Sequence, residues 1–150
     1  MPIGELCSRD VVFVTRAESV VEAARLMRQH HVGDVVVIDE KNGLRTPVGV
    51  VTDRDIVIEV IAKGVSADTV TVGDIMSADA ATVRETEGVY ETIQYMRAKG
   101  VRRMPVVNAK GALVGILALD DLLELLSEEM GELAKLIAHE QAQEKKTRAQ

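Results

Sequence analysis

The chain has 150 residues, 47% hydrophobic and 28% charged, with a formal net charge of -6, a globular composition with room for one compact unit or two small ones. An acidic chain with two Tyr, one Phe and no Trp lacks the basic stripe and stacking rings of nucleic-acid binders. It has no run of about 18 apolar residues to span a membrane, no basic stretch leading into an apolar core as in a signal peptide, and no cysteine besides Cys7 for a disulfide or zinc knuckle, so a soluble cytoplasmic protein is the expectation.

With so few aromatic rings, aliphatic side chains must fill the core, and 23 valines are available for it. Valine is stiff at χ1 and suits buried strands. In chain order, Val11 to Val14 reads as a short edge strand, followed by Ser19 with Glu22 three positions on, a capping-box pattern. Val20, Ala23, Ala24 and Met27 then fall at the spacing of an amphipathic helix. Val35 to Ile38 reads as a buried strand, Asn42-Gly43 as a hairpin turn, and Val48 to Val51 as the returning strand. Asp55 to Ala62 predicts a helix that Gly64 would cap.

The same order then recurs. Ile3-Gly4-Glu5-Leu6 resembles Val72-Gly73-Asp74-Ile75, 69 positions later, and that offset also pairs Val20 with Val89, Met27 with Met96 and Val32 with Val101. Beyond the middle strand it falls to 66, pairing Gly49-Val50-Val51 with Gly115-Ile116-Leu117 and Asp55 with Asp121. The change places a three-residue insertion in the first copy near Leu44 to Pro47, which reads as a turn, where insertions cost little. Register held across helix-like and strand-like segments marks a duplication. The expected fold is α/β (α+β): two β-α-β-β-α repeats, at 1–64 and 65–127, packed sheet to sheet about a pseudo-two-fold axis. A helical tail over 128–150, fraying at its basic end, completes the chain. A unit of roughly 60 residues is marginal alone, which supports the pairing.

The segment Gly49-Val50-Val51-Thr52-Asp53-Arg54-Asp55 joins a strand to a helix start. Gly49 permits close backbone approach, Thr52 brings a hydroxyl, Arg54 a cationic fork and Asp55 an acceptor for a diol, a set suited to a ribose with an attached phosphate. Thr52 and Asp55 also fit a capping box that needs no ligand. The pair Arg102-Arg103 fits either solvated charge or a local cationic site on an acidic protein.

Taken with the repeat, these motifs resemble the cystathionine-β-synthase (CBS) domain family, in its tandem form called a Bateman module. The resemblance rests on Gly-hydrophobic-x-Thr-x-x-Asp closing the first copy, on Val72 to Met76 opening the second, and on Val101-Arg102-Arg103-Met104-Pro105-Val106 before its middle strand. It covers about residues 3 to 127 and implies a stand-alone CBS pair. Such modules bind adenosine-containing ligands (AMP, ADP, ATP, NAD or S-adenosylmethionine) between the copies. Carried over by position, the resemblance implies that Asp55 and Asp121 hold ribose hydroxyls and that Thr52 lies near ribose and phosphate. Arg54, Arg102 and Arg103 become phosphate partners, with Gly33 and Asp34 matching the last two in the first copy. Adenine would lie near Ser8 to Val12 and Val32 to Val35, with Val12 in contact. Ala118 stands where the second copy should have a threonine, so one strong site centred on Thr52 and Asp55 is expected.

The implied function is a regulatory sensor that takes an adenosyl effector, requires no cofactor, and passes the change to an unknown protein partner. The alternative is a structural or protein-interaction module with vestigial clefts. No catalytic constellation emerges, so no enzyme is expected, and His30, His31 and His139 lack the spaced partners a metal needs. Leu122, Leu126, Met130, Leu133 and Ile137 recur every three or four residues in the tail. That seam requires cover, and a homodimer is the expectation, the alternative being a monomer whose tail docks on its own module.

Overall fold

The structure is a computed structural model and describes residues 1–78 and 80–148. It comprises two units, Met1–Leu117 and a second beginning at Ala118. In the first, α1 (Ile3–Leu6) precedes β1 (Phe13–Thr15), α2 (Val20–His30), β2 (Asp34–Lys41), β3 (Leu44–Thr52) and α3 (Asp53–Ile56), which continues as a π-helical turn at Val57–Ile61. The order recurs as α4 (Val72–Ile75), β4 (Ser77–Ala78), β5 (Val83–Arg84), α5 (Val89–Lys99), β6 (Arg103–Val107) and β7 (Leu113–Ala118). The second unit is α6 (Leu119–Arg148). This helix includes positions 127 and 128 and runs through Arg148.

Two sheets form, β1-β2-β3-β4 and β5-β6-β7, with β1 parallel to β2 and β2 antiparallel to β3. Ser19 caps α2 by accepting from the Glu22 N–H at 3.2 Å, as its sequence pattern requires. The hairpin turn is confined to Asn42 and Gly43, both at positive φ, the geometry that matches strand twist. Leu44 to Pro47 is not a turn, as its composition suggested, but the first part of β3. The inserted residues lengthen the hairpin, and beyond them the register shifts between Val37 and Ile38, leaving Val48 as the extra residue of a bulge. Pro47, with no N–H to give, partners Ile38 at that irregularity.

The β2–β3 ladder carries the first core. Val35, Val37 and Val51 pack with Val14, Ala23, Met27 and Val72. Alternation puts Val36 and Ile38 on the opposite face, and they are equally buried, so both faces of β2 are covered.

The two repeats exchange their leading segments. The Ile3 and Gly4 N–H groups donate to Glu87 and Glu85 of the second repeat, each at 2.8 Å. In return, the Val72 and Gly73 N–H groups donate to Glu18 and Arg16 of the first, at 2.8 and 3.0 Å. Every one of these partners maps onto its counterpart by the 69-residue offset, so the pseudo-two-fold is written in backbone hydrogen bonds. Further on, Ser8 bridges Ile116 through two 2.9 Å bonds, and Ser77 pairs with Val50 of β3.

Candidate functional site

The strand-to-helix turn at Thr52 closes on itself. Thr52 Oγ1 accepts from the Asp55 N–H at 3.0 Å, and Asp55 Oδ2 accepts from the Thr52 N–H at 2.9 Å, a complete capping box. In the second repeat the Ala118 N–H donates to Asp121 Oδ2 at 2.8 Å, half of the same box. Asp121 beside Ala118 thus has a structural reason that needs no ligand: it satisfies a backbone donor orphaned at a helix start. Gly49 is also accounted for from within. A Cβ there would stand 2.7 Å from the Ser77 carbonyl oxygen and 2.8 Å from Met76 Sδ, and one at Gly115 would stand 2.6 Å from Cys7 Sγ and 2.8 Å from the Ser8 carbonyl oxygen. The close approach read at Gly49 is made by the leading segment of the other repeat.

Around this turn the fold gathers several of the singled-out residues. Asp34 opens β2 opposite Thr52, and the Gly33 carbonyl accepts from the Asp53 N–H at 2.9 Å. Arg103 Nε lies 3.3 Å from Asp34 Oδ2. Asp34 is only 9% exposed. Burial pushes its carboxyl above the ordinary carboxylate range; Arg103 opposes that shift, and the neighbouring Asp53 charge adds to it. Arg54 and Arg102 have exposed side chains.

A cavity of about 720 Å³ opens elsewhere in the same unit, between the lead-in to β1 and the start of β7. Val11, Val12 and Val32 give it an aliphatic lining where the adenine was expected, and Leu113 and Val114 belong to the second repeat. Of the nine candidate site residues, Val12 alone is in this lining; Thr52, Asp55 and the rest lie outside it. Polar character comes from Arg9, Asp10, His30 and Arg45; Arg9 and Asp10 fall in the Ser8 to Val12 stretch where adenine was expected, and His30 and Arg45 were not among the expected contacts. Arg9 is pinned by two carbonyls, Gly4 at 2.8 Å and Val114 at 3.4 Å. The Arg45 guanidinium carbon sits 4.5 Å from the centre of the Phe13 ring, which also lines the cavity. An aliphatic floor with one ring, and two guanidinium groups against the single carboxylate of Asp10, suits a flat molecule carrying an anion that the arginines reach. Neither arginine had a repeat to betray it: Arg9 aligns with Ala78, and Arg45 lies in the insertion.

Among the described residues no cluster of three or more His, Cys, Asp or Glu could hold a metal ion, and no helix is long and apolar enough to cross a membrane.

A family model described as the CBS domain matches residues 3–62 and 72–128. An uncharacterized protein of Methanopyrus kandleri is 41% identical over 123 residues, covering 82% of this chain and 61% of that protein, so the chain spans less than two thirds of that relative. A CBS domain-containing protein of Bacillus subtilis, YhcV, is 31% identical over 140 residues, 92% of this chain and 96% of its own. Among solved structures, a CBS domain protein from Pyrobaculum aerophilum complexed with AMP superposes with a TM-score of 0.72 at 30% identity, covering 85% of this chain and 99% of that one.

Proposed function

The chain belongs to the CBS domain family as a tandem pair of repeats, and from that premise we propose that it is a regulatory module, not an enzyme, whose effector is an adenosine-containing molecule such as AMP. The observation that carries this reading is the 720 Å³ cavity shared by both repeats, with an aliphatic lining and the guanidinium groups of Arg9 and Arg45 beside it. The AMP complex of the Pyrobaculum aerophilum relative supports the ligand class. In this reading the adenine lies against Val12 and Val32, and the arginines receive the phosphate.

The motif carboxylates keep a part in the proposal. Asp55 lies outside the cavity lining and spends Oδ2 on its cap, so the Thr52 turn stands as the alternative seat for an effector's ribose diol. A ligand that bridges the repeats would favour one arrangement of the two, and a protein partner would read that preference. Such coupling requires only a difference in affinity between arrangements.

Dye-monitored melting against AMP, ADP, ATP, NAD, S-adenosylmethionine and adenosine tests the reading. A ligand at 100 times its Kd adds about 2.7 kcal/mol to the native state, a shift of roughly 5–10 °C for a chain of this size. No shift with any of the six would reject the sensor and favour a module that acts through its surfaces.

A further inference from the structure

The helix α6 presents an apolar stripe that nothing within its own unit covers. Leu123, Leu126, Met130, Leu133 and Ile137 follow the alternating three–four spacing of a coiled-coil seam, and all five are between 49 and 70% exposed. The seam expected through Leu122 is thus displaced by one residue: Leu122 is 3% exposed, and Leu123 takes its place. Five consecutive apolar seam positions on a helix otherwise rich in charge call for a covering surface.

We propose that the covering surface is α6 of a second copy of this chain, laid antiparallel about Met130. The charge along the helix decides both the occupant and its direction. Residues 119–132 carry six carboxylates (Asp120, Asp121, Glu124, Glu128, Glu129 and Glu132) and no lysine or arginine. Residues 133–148 carry Lys135, Lys145, Lys146 and Arg148 against Glu140 and Glu144. One end is therefore negative and the other positive, and two copies attract only head to tail. A parallel pair would set six carboxylates beside six, and it would continue the seam with Glu140 facing Glu140 and Glu144 facing Glu144. The antiparallel pair centres the seam: Met130 meets its own copy, Leu126 meets Leu133, and Leu123 meets Ile137. This inference does not depend on what the cavity binds.

Light scattering across a concentration series tests it. The full chain should run at twice its 16.3 kDa mass, and L126E with L133E should return it to the single-chain mass while near-native circular dichroism persists. Direction is read by oxidative cross-linking on a Cys7→Ser background. Leu123→Cys and Ile137→Cys chains should link to each other several-fold faster than either links to itself. A chain that stays at 16.3 kDa at every concentration overturns the proposal, as does a double variant that keeps the doubled mass. Preferential self-linking at 123 and at 137 overturns the direction and with it the charge argument.

Discussion

Arg103 Nε stands 3.3 Å from Oδ2 of Asp34, and the two residues occupy the same position in the two repeats, 69 apart. Counterparts that touch each other must lie beside the pseudo-two-fold axis. A position on that axis cannot carry the same charge twice without repulsion, so divergence to an opposite pair is what the duplicated chain needed there.

Removing the cation should therefore cost more than an ordinary surface pair. Arg103→Met leaves a nearly buried carboxylate without its partner, for an expected loss of about 1–2 kcal/mol at neutral pH, and Asp34→Asn in the same chain should recover most of it. The pH dependence has a definite sign. Burial raises the Asp34 carboxyl in the folded state, so the native protein binds that proton more tightly than the unfolded one does. Stability from this group is complete below the unfolded value and declines as pH climbs from there through the raised folded value. Asp34→Asn should flatten that stretch of a urea-denaturation profile; an unchanged slope would assign the dependence to other groups.

The capping turns give a second comparison inside one chain. Thr52 and Asp55 form both halves of the box, whereas Ala118 and Asp121 form one. Ala118→Ser should supply the missing hydroxyl and stabilise the protein by about 0.5–1 kcal/mol, and Thr52→Ala should lose about 1 kcal/mol. Denaturant midpoints measure both. An Ala118→Ser chain no more stable than the parent would show that this helix start does not need the second half.

Much of this fold was legible because its signals are local and occur twice. Ser19, Asn42-Gly43 and the 69-residue offset fix a cap, a turn and the duplication from neighbouring residues alone. The exchange of leading segments was not legible, because Ile3 and Glu87 meet only after the chain has closed on itself. That closure changed the meaning of Gly49, whose neighbours are Met76 and Ser77 rather than a ligand. Asp34 and Arg103 were both singled out, yet as phosphate neighbours instead of partners of each other. Arg9 and Arg45 escaped as phosphate partners because the repeat highlights what the copies share, and these two have no counterpart.

Gly115 and Gly49 should resist substitution for reasons that the exchange supplies. A methyl at Gly115 would meet Cys7 Sγ at 2.6 Å and, at 2.8 Å, the Ser8 carbonyl, which the bridge to Ile116 fixes. Gly115→Ala should cost about 1–3 kcal/mol. Adding Cys7→Ala should relieve only part of that cost, since the Ser8 carbonyl remains in the way. Gly49→Ala meets the Ser77 carbonyl at 2.7 Å and should fall in the same range. Full rescue by Cys7→Ala would mean that the backbone yields and the segment is not held as described.

Arg45 offers the sharpest test of where the effector sits. Its guanidinium lies over Phe13 at the cavity, 4.5 Å from the ring centre, and no salt bridge or hydrogen bond ties its side chain to the fold among the described residues. Arg45→Gln should therefore leave the melting temperature of the free protein within about 2 °C, as a surface substitution away from any cap or core would. A phosphate that bonds to this cation loses a charge-assisted contact worth roughly 1.5–3 kcal/mol, so AMP should bind about 10- to 100-fold more weakly. Adenosine, with no phosphate to lose, should change by less than about threefold, apart from the small loss of the stacked cation. Calorimetric titration of both ligands against both chains separates charge recognition from shape. Equal losses for AMP and adenosine would mean that Arg45 shapes the pocket rather than reading the anion. Unchanged AMP affinity here, with a loss in Asp55→Asn, would move the effector out of this cavity and onto the Thr52–Asp55 turn.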